Sequence, residues 1–135
     1  MNNNVILDTN ILFDLFTNNP YQQPANNCLQ DKQIHIYKGV LEELFNLLKN
    51  RFDSDVAADK INYILQSSHL FTILDIPIKD IHAAVTLTRF NRSKDQTKNL
   101  SLTDGVQVFL SSKGDFTLYT RDERMTLFDN VVKPY

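Results

Sequence analysis

Apolar and polar positions along the chain alternate between two rhythms. Val5, Ile6 and Leu7 form a short apolar run that stops at an acid, Asp8. Thr9 and Asn10 follow, and Ile11, Leu12, Leu15 and Phe16 then recur at helical spacing. The stretch 5–16 therefore reads as a buried strand, a turn with helix-capping residues, and a helix. Asn18-Asn19-Pro20 breaks the pattern, and the polar residues 20–27 predict irregular or weakly helical chain. QIHIY at 33–37 alternates and predicts a strand. Past Gly39, Val40, Leu41, Leu44, Phe45 and Leu48 share a broad helical face. A second helix is expected over 54–66, with Val56, Ile61, Ile64 and Leu65 turned inward. LFTILDI (70–76) predicts a strand closed by Pro77, and residues 78–90 a helix through Ile81, Val85 and Leu87. Residues 91–99 (NRSKDQTKN) lack periodicity and predict an exposed loop. SLTDGVQVFLSSKG (101–114) is a helix with a start signal and a terminal glycine. FTLYT (116–120) predicts a strand, and 130–132 one more. Strands alternating with helices indicate a three-layer α/β/α arrangement around a mainly parallel sheet.

Composition narrows this picture without changing it. A chain of 135 residues favours one domain, spanning 1–135, and buries roughly two-thirds of its unfolded surface. With 42% hydrophobic and 22% charged residues it has the make-up of a soluble globular protein. The single Cys28 forms no internal disulfide, and no signal peptide is expected ahead of a strand that starts at Val5. No apolar run approaches the roughly 20 residues that span a bilayer, so the expectation is a cytoplasmic protein with no membrane contact. A net charge of −2 argues against chain-wide attraction to nucleic acid, yet a bound divalent cation reverses the sign of an acidic site.

The acids carry the candidate chemistry. Asp8 ends the first strand, where open α/β sheets bind ligands. Glu42 and Glu43 lie early in the helix after Gly39. At about 100° per residue Glu42 falls nearly opposite the apolar face, whereas Glu43 lies at its edge beside Val40 and Leu47. Asp104 opens the helix that Ser101 starts, and Asp122 follows FTLYT two residues after Thr120. Each has an ordinary explanation: a strand-end turn for Asp8, a flanking surface position for Glu43, a capping box for Ser101 and Asp104, an ion pair for Asp122. Taken together, at least three obey one rule, an acid at a strand's carboxyl end or in a helix's first turn. In a parallel sheet those places share one edge.

These motifs resemble the PIN domain, most closely the compact PIN ribonucleases of bacterial toxin–antitoxin pairs, the VapC type. VILDTNILFDL, VLEELFNLLK, LSLTDGVQVFLSSKG and LYTRDERM carry the resemblance, in the same order from end to end. It implies a PIN-like fold, internal cleavage of RNA, and an acidic quartet at Asp8, Glu43, Asp104 and Asp122. Thr9, Asn10 and Thr120 are the small polar helpers it implies. The second glutamate at position 42 departs from the pattern, and the helix-face geometry favours Glu43. A cognate antitoxin and a homodimer are implied by the resemblance alone.

Clustered carboxylates repel by about 4 kcal/mol per pair at 4 Å and an effective dielectric near 20, so protons or a cation must neutralise them. Oxygen ligands without His or Cys suit Mg²⁺ or Mn²⁺, with Asp8 and Asp104 as direct ligands and Glu43 and Asp122 acting through water or at a second ion. Asp8→Asn is expected to leave the metal-free fold as stable or more so, through relief of repulsion. Arg89, Arg92, Lys94 and Lys98 near Phe90, with Arg121 and Arg124 around Asp122, are candidate phosphate contacts. An ordinary solvated loop is the competing explanation for them. The scattered His35, His69 and His82 have no ligand spacing, Asn10 doubles as a helix-cap candidate, and Cys28 lacks a general base. A haloacid-dehalogenase-type phosphatase needs a second acid where Asn10 stands. A receiver domain needs a phosphorylatable Asp that only Asp75 could supply. The non-enzymatic alternative is a catalytically inactive PIN-like module that binds RNA or protein.

Overall fold

The computed structural model describes residues 3–90 and 100–135. Five strands form one sheet: β1 (Asn4–Leu7), β2 (Gln33–Tyr37), β3 (Phe71–Leu74), β4 (Thr117–Tyr119) and β5 (Val131–Val132). Every pairing is parallel, and the spatial order is β3-β2-β1-β4-β5. The expected mainly parallel α/β sheet is therefore wholly parallel among the described residues. Short strands suffice because both faces are covered. Val5 and Leu7 point into one core with Ile36, and Ile6 points into the other with Leu118 and Val131. That alternation is the period of two that a buried strand imposes.

One face is covered by α1 (Thr9–Phe16), α3 (Lys38–Arg51) and α4 (Ser54–Gln66), through Ile11, Leu12, Val40, Leu44, Leu48, Ala57 and Ile64. The other is covered by α5 (Ile81–Phe90) and α6 (Leu102–Ser112), through Ala84, Val106, Val108 and Leu110. Between α1 and β2 lies α2 (Gln22–Cys28), a helix where the polar composition predicts irregular or weakly helical chain. Its Pro24 falls in the first turn, where a missing N–H costs nothing, and Gln22 Nε2 donates to the Leu15 carbonyl at the end of α1. One inward assignment fails. Leu65 is half exposed because Ala57 and Ile64, seven residues apart, set the buried stripe of α4. Ile81 is partly exposed, and small Ala84 makes the contact instead.

The α5–α6 contact is unusually close. A Cβ added to Gly105 would lie 2.7 Å from the Ala84 carbonyl oxygen and 2.8 Å from Thr88 Cγ2, so Gly105 is the residue that lets α6 sit against α5. At the other end of α6, Gly114 takes φ +84°, the left-handed turn that glycine ends a helix with. Among the described residues no helix is long and apolar enough to cross a membrane.

The order β3-β2-β1-β4-β5 reverses direction at β1. The chain leaves β1 toward β2 on one side and returns from β3 to β4 on the other. In open α/β sheets ligands bind in the crevice outside the carboxyl ends of the strands where connections diverge in this way. Asp8 follows β1 there, and Thr120 follows β4.

Candidate active site

Asp8 is buried, at 6% exposure, and is the N-cap of α1. Its Oδ1 accepts from Thr9 N at 2.8 Å and from Gln107 Nε2 at 3.0 Å, and its Oδ2 accepts from the Thr120 hydroxyl at 2.7 Å. Its own amide donates to the Tyr119 carbonyl at 3.0 Å, which joins the ends of β1 and β4. The cap that sequence reasoning assigned to Asn10 thus belongs to Asp8. Asn10 lies inside α1 and bridges across the crevice: its Nδ2 donates to Thr120 Oγ1 at 3.3 Å, and its Oδ1 accepts from Arg121 N at 3.0 Å.

The other acids arrive on separate elements. Asp104 sits in the first turn of α6, whose N-cap Ser101 accepts from Asp104 N at 3.0 Å. Burial, then the charges of Asp8 and Glu43, push the Asp104 carboxyl up to about 7, with a smaller push from Asp122. Glu42 and Glu43 are both exposed on α3. The Glu43 carboxyl is raised by partial desolvation and by Asp8, and the Thr103 side chain offsets part of the rise. Asp8, Glu43, Asp104 and Asp122, drawn from four places in the chain, therefore share one electrostatic neighbourhood at the sheet edge.

Thr120 organises the far side. Fully buried, it donates to Asp8 and accepts from Asn10 and from Asp122 N at 3.0 Å. Asp122 is held by Arg124: Nε donates to Oδ1 at 3.0 Å and Nη2 to Oδ2 at 2.6 Å, with Arg124 N also on Oδ1. Arg124 also lies within the field of Asp104. Arg121 and Arg124, candidates for phosphate contact, both carry ion pairs within the protein. Arg124 is spent on Asp122, and Arg121 pairs with Asp14, Nε 2.7 Å from Oδ2, while its guanidinium lies 4.2 Å over the Tyr21 ring. Arg89 is exposed at the end of α5. Arg92, Lys94 and Lys98 lie outside the described residues.

Two groups escaped sequence reasoning. Gln107, fully buried, reads as one more polar residue in an amphipathic helix; the signal was its position three residues after Asp104, on the same face of α6. Asp14, at 1% exposure, takes both Arg121 and the Tyr135 hydroxyl, the latter at 2.6 Å. Neither partner is legible locally, since each lies more than a hundred residues away. His35 packs edge-on against Phe116, and burial pushes the Cys28 thiol up to about 11, so neither serves this site.

The donor set tests the expected cation. Around Asp8 it is made of carboxylates, hydroxyls and amide oxygens, the ligands of Mg²⁺ and Mn²⁺. Among the described residues the buried side-chain oxygens without a hydrogen-bond partner are Thr9 Oγ1 and Gln107 Oε1, and both belong to residues that grip Asp8. Among the same residues, no group of three or more Asp, Glu, His or Cys side chains is arranged to hold a metal ion. Only an ion that keeps several waters and takes one or two carboxylates fits such a donor set.

Solved structures with the same architecture are known. One chain of a toxin–antitoxin complex from Klebsiella pneumoniae is 23% identical, with 97% of this chain and 98% of that one covered and a TM-score of 0.69. The sarcin–ricin-loop-cleaving toxin VapC20 of Mycobacterium tuberculosis gives 0.74 at 16% identity, covering 94% and 98%. VapBC2 from Rickettsia felis, bound to a DNA fragment from its promoter, gives 0.71 at 19% identity, covering 96% of each chain. The chain has a PIN-like fold. The likeness spans nearly the whole of each chain. No family model matches the sequence, and no curated protein matches it.

Proposed function

We propose that this PIN-like chain is a Mg²⁺- or Mn²⁺-dependent endoribonuclease, the toxin of a toxin–antitoxin pair. The observation that carries the reading is the convergence of Asp8, Glu43, Asp104 and Asp122 at one sheet edge, close enough for burial and the other three charges to raise the Asp104 carboxyl. Four acids from distant parts of the chain gathered at one sheet edge destabilise each other unless something positive is shared among them. Neighbours of the same fold support the substrate class: one cleaves the sarcin–ricin loop, and others sit in toxin–antitoxin assemblies.

Asp8 and Asp104 would hold a divalent cation, which would supply charge stabilisation at a scissile phosphate and lower the pKa of water so that hydroxide is available to attack. The chain's own residues do the rest. Three donors hold the Asp8 side chain in one orientation. Asn10 and Thr120 tie the ends of β1 and β4 together, which fixes the spacing between Asp8 and Asp122. Glu43, exposed on α3 and within the field of Asp8, would act through water or at a second ion. RNA as substrate, an antitoxin partner, a homodimer and residence in the cytoplasm belong to this proposal.

The bidentate grip of Arg124 on Asp122 favours a second reading, an inactive PIN-like binding module in which an arginine neutralises the site permanently. The readings separate on one assay. Purified protein is incubated with structured and single-stranded RNA, with Mn²⁺ or with chelator, beside Asp8→Asn checked for folding by circular dichroism. Internal cleavage that needs the cation and vanishes in Asp8→Asn supports the nuclease. RNA binding without cleavage, indifferent to chelator and to the substitution, establishes the module.

A further inference from the structure

We infer that Gln107 is a positioning residue that restricts Asp8 to binding a cation through a single oxygen lone pair, and so favours Mg²⁺ or Mn²⁺ over Ca²⁺. The inference rests on the nuclease reading above. A carboxylate offers about four acceptor sites, two on each oxygen. Oδ1 of Asp8 uses both of its own, on Thr9 N and on Gln107 Nε2, and Oδ2 uses one on Thr120 Oγ1. One lone pair of Oδ2 stays open.

The three donors are not equivalent. Thr9 N is backbone at the start of α1, and Asp8 keeps it whatever side chains surround it. Thr120 is committed to Asn10 and Asp122 as well. Gln107 is the one side chain on Oδ1, and it is wholly buried. It reaches Asp8 across 99 residues of sequence from the helix that also carries Asp104. Its amide orientation is fixed by charge, because the flipped amide would set Oε1 against the Asp8 oxygen. In the orientation adopted, Oε1 has no hydrogen-bond partner among the described residues. A methionine would fill nearly the same volume without an orphaned oxygen. The contact to Asp8 is what a glutamine provides there and an apolar side chain does not.

The consequence is selectivity. Ca²⁺ accepts bidentate carboxylates and loose geometry, whereas Mg²⁺ demands octahedral geometry from few protein ligands. Occupying Oδ1 from inside the protein removes the bidentate option. Without Gln107 one lone pair opens on each Asp8 oxygen, so both oxygens become available to one cation.

The test compares wild type with Gln107→Met by calorimetric titration with Mn²⁺ and with Ca²⁺, without RNA. In the variant, Mn²⁺ affinity is expected to fall about 10–100-fold, the usual cost of losing a partner behind a ligand, while Ca²⁺ affinity falls less, so the ratio narrows. A folded Gln107→Met with wild-type Mn²⁺ affinity and an unchanged ratio overturns the inference and leaves the nuclease reading intact. Wild type that binds neither cation overturns both. If the variant does not fold, the wild type decides: in ¹⁵N-labelled protein at saturating Mg²⁺, the Gln107 side-chain amide signal should shift while that of exposed Asn26 stays. A Gln107 signal that stays fixed while the Asp8 and Asp104 backbone amides move overturns the inference.

Discussion

Thr120 carries more of the site than its size suggests. One hydroxyl donates to Asp8 and receives the Asn10 side chain and the Asp122 amide, all in a fully buried position. Thr120→Val keeps the shape and strands those groups, so urea unfolding should report a loss of about 2–3 kcal/mol, whereas Thr120→Ser should stay within about 1 kcal/mol of wild type. Asp104 shows the opposite balance. Its carboxyl titrates near 7 in the folded chain and near 4 when unfolded, so folding binds a proton between those values. The contribution of Asp104 to the metal-free fold is therefore most favourable below about pH 4, worsens as pH rises toward 7, and changes little above it. Asp104→Asn removes the penalty. At pH 8 without divalent ions it should be more stable than wild type by about 1–2 kcal/mol after allowance for solvent screening, and the gain should vanish near pH 4. Asp8 differs again. The sequence alone suggests that Asp8→Asn is neutral or stabilising. The structure adds an opposing cost, because an asparagine Nδ2 would meet a Thr120 oxygen that already accepts from Asn10 and Asp122.

At the scale of elements, apolar rhythm made most of the fold legible. β1, β2, α3, α4 and α6 fall where periodicity puts them, because each buries a stripe or face in its own residues. α2 was not legible, since its stability comes from Gln22 bonding the end of α1 and from buried Ala25, not from an apolar stripe of its own. The acids were legible because strand ends and helix starts are local features. Gln107, Asp14 and the true partners of Arg121 and Arg124 were not, because a hydrogen bond between residues 8 and 107, or 14 and 135, leaves no trace in either neighbourhood. Gly105 has the same character. Its sequence context shows only a glycine inside a helix, which ordinarily weakens it. The structure shows that a methyl group there would collide with the Ala84 carbonyl. Gly105→Ala should thus lower stability by about 1–3 kcal/mol despite its better helix propensity, and a melting curve with unchanged helical content but a lower midpoint would show it. Because Asp104 precedes Gly105, the same shift should also weaken cation binding.

The whole molecule is a parallel sheet whose direction reverses at β1, with carboxylates set around the resulting crevice. Chain ends are drawn into the same region: Tyr135 and Arg121 close on buried Asp14, tying the last residue to α1 and bracing the loop that holds Asp122. A buried ion pair of this kind adds little net stability but is costly to break, which makes it a brace for geometry. The account stands on a shared cation at the acidic edge. Its most direct test is the melting temperature at pH 8 with and without Mg²⁺, for wild type and for Asp104→Asn. Ligand binding to the folded state alone contributes about 2.7 kcal/mol at a hundredfold excess over Kd. Wild type should melt several degrees higher with Mg²⁺, and Asp104→Asn should start higher and respond little. A wild-type melting temperature that Mg²⁺ and Mn²⁺ leave unmoved up to 10 mM, a roughly hundredfold excess for sites of ordinary affinity, would contradict the account.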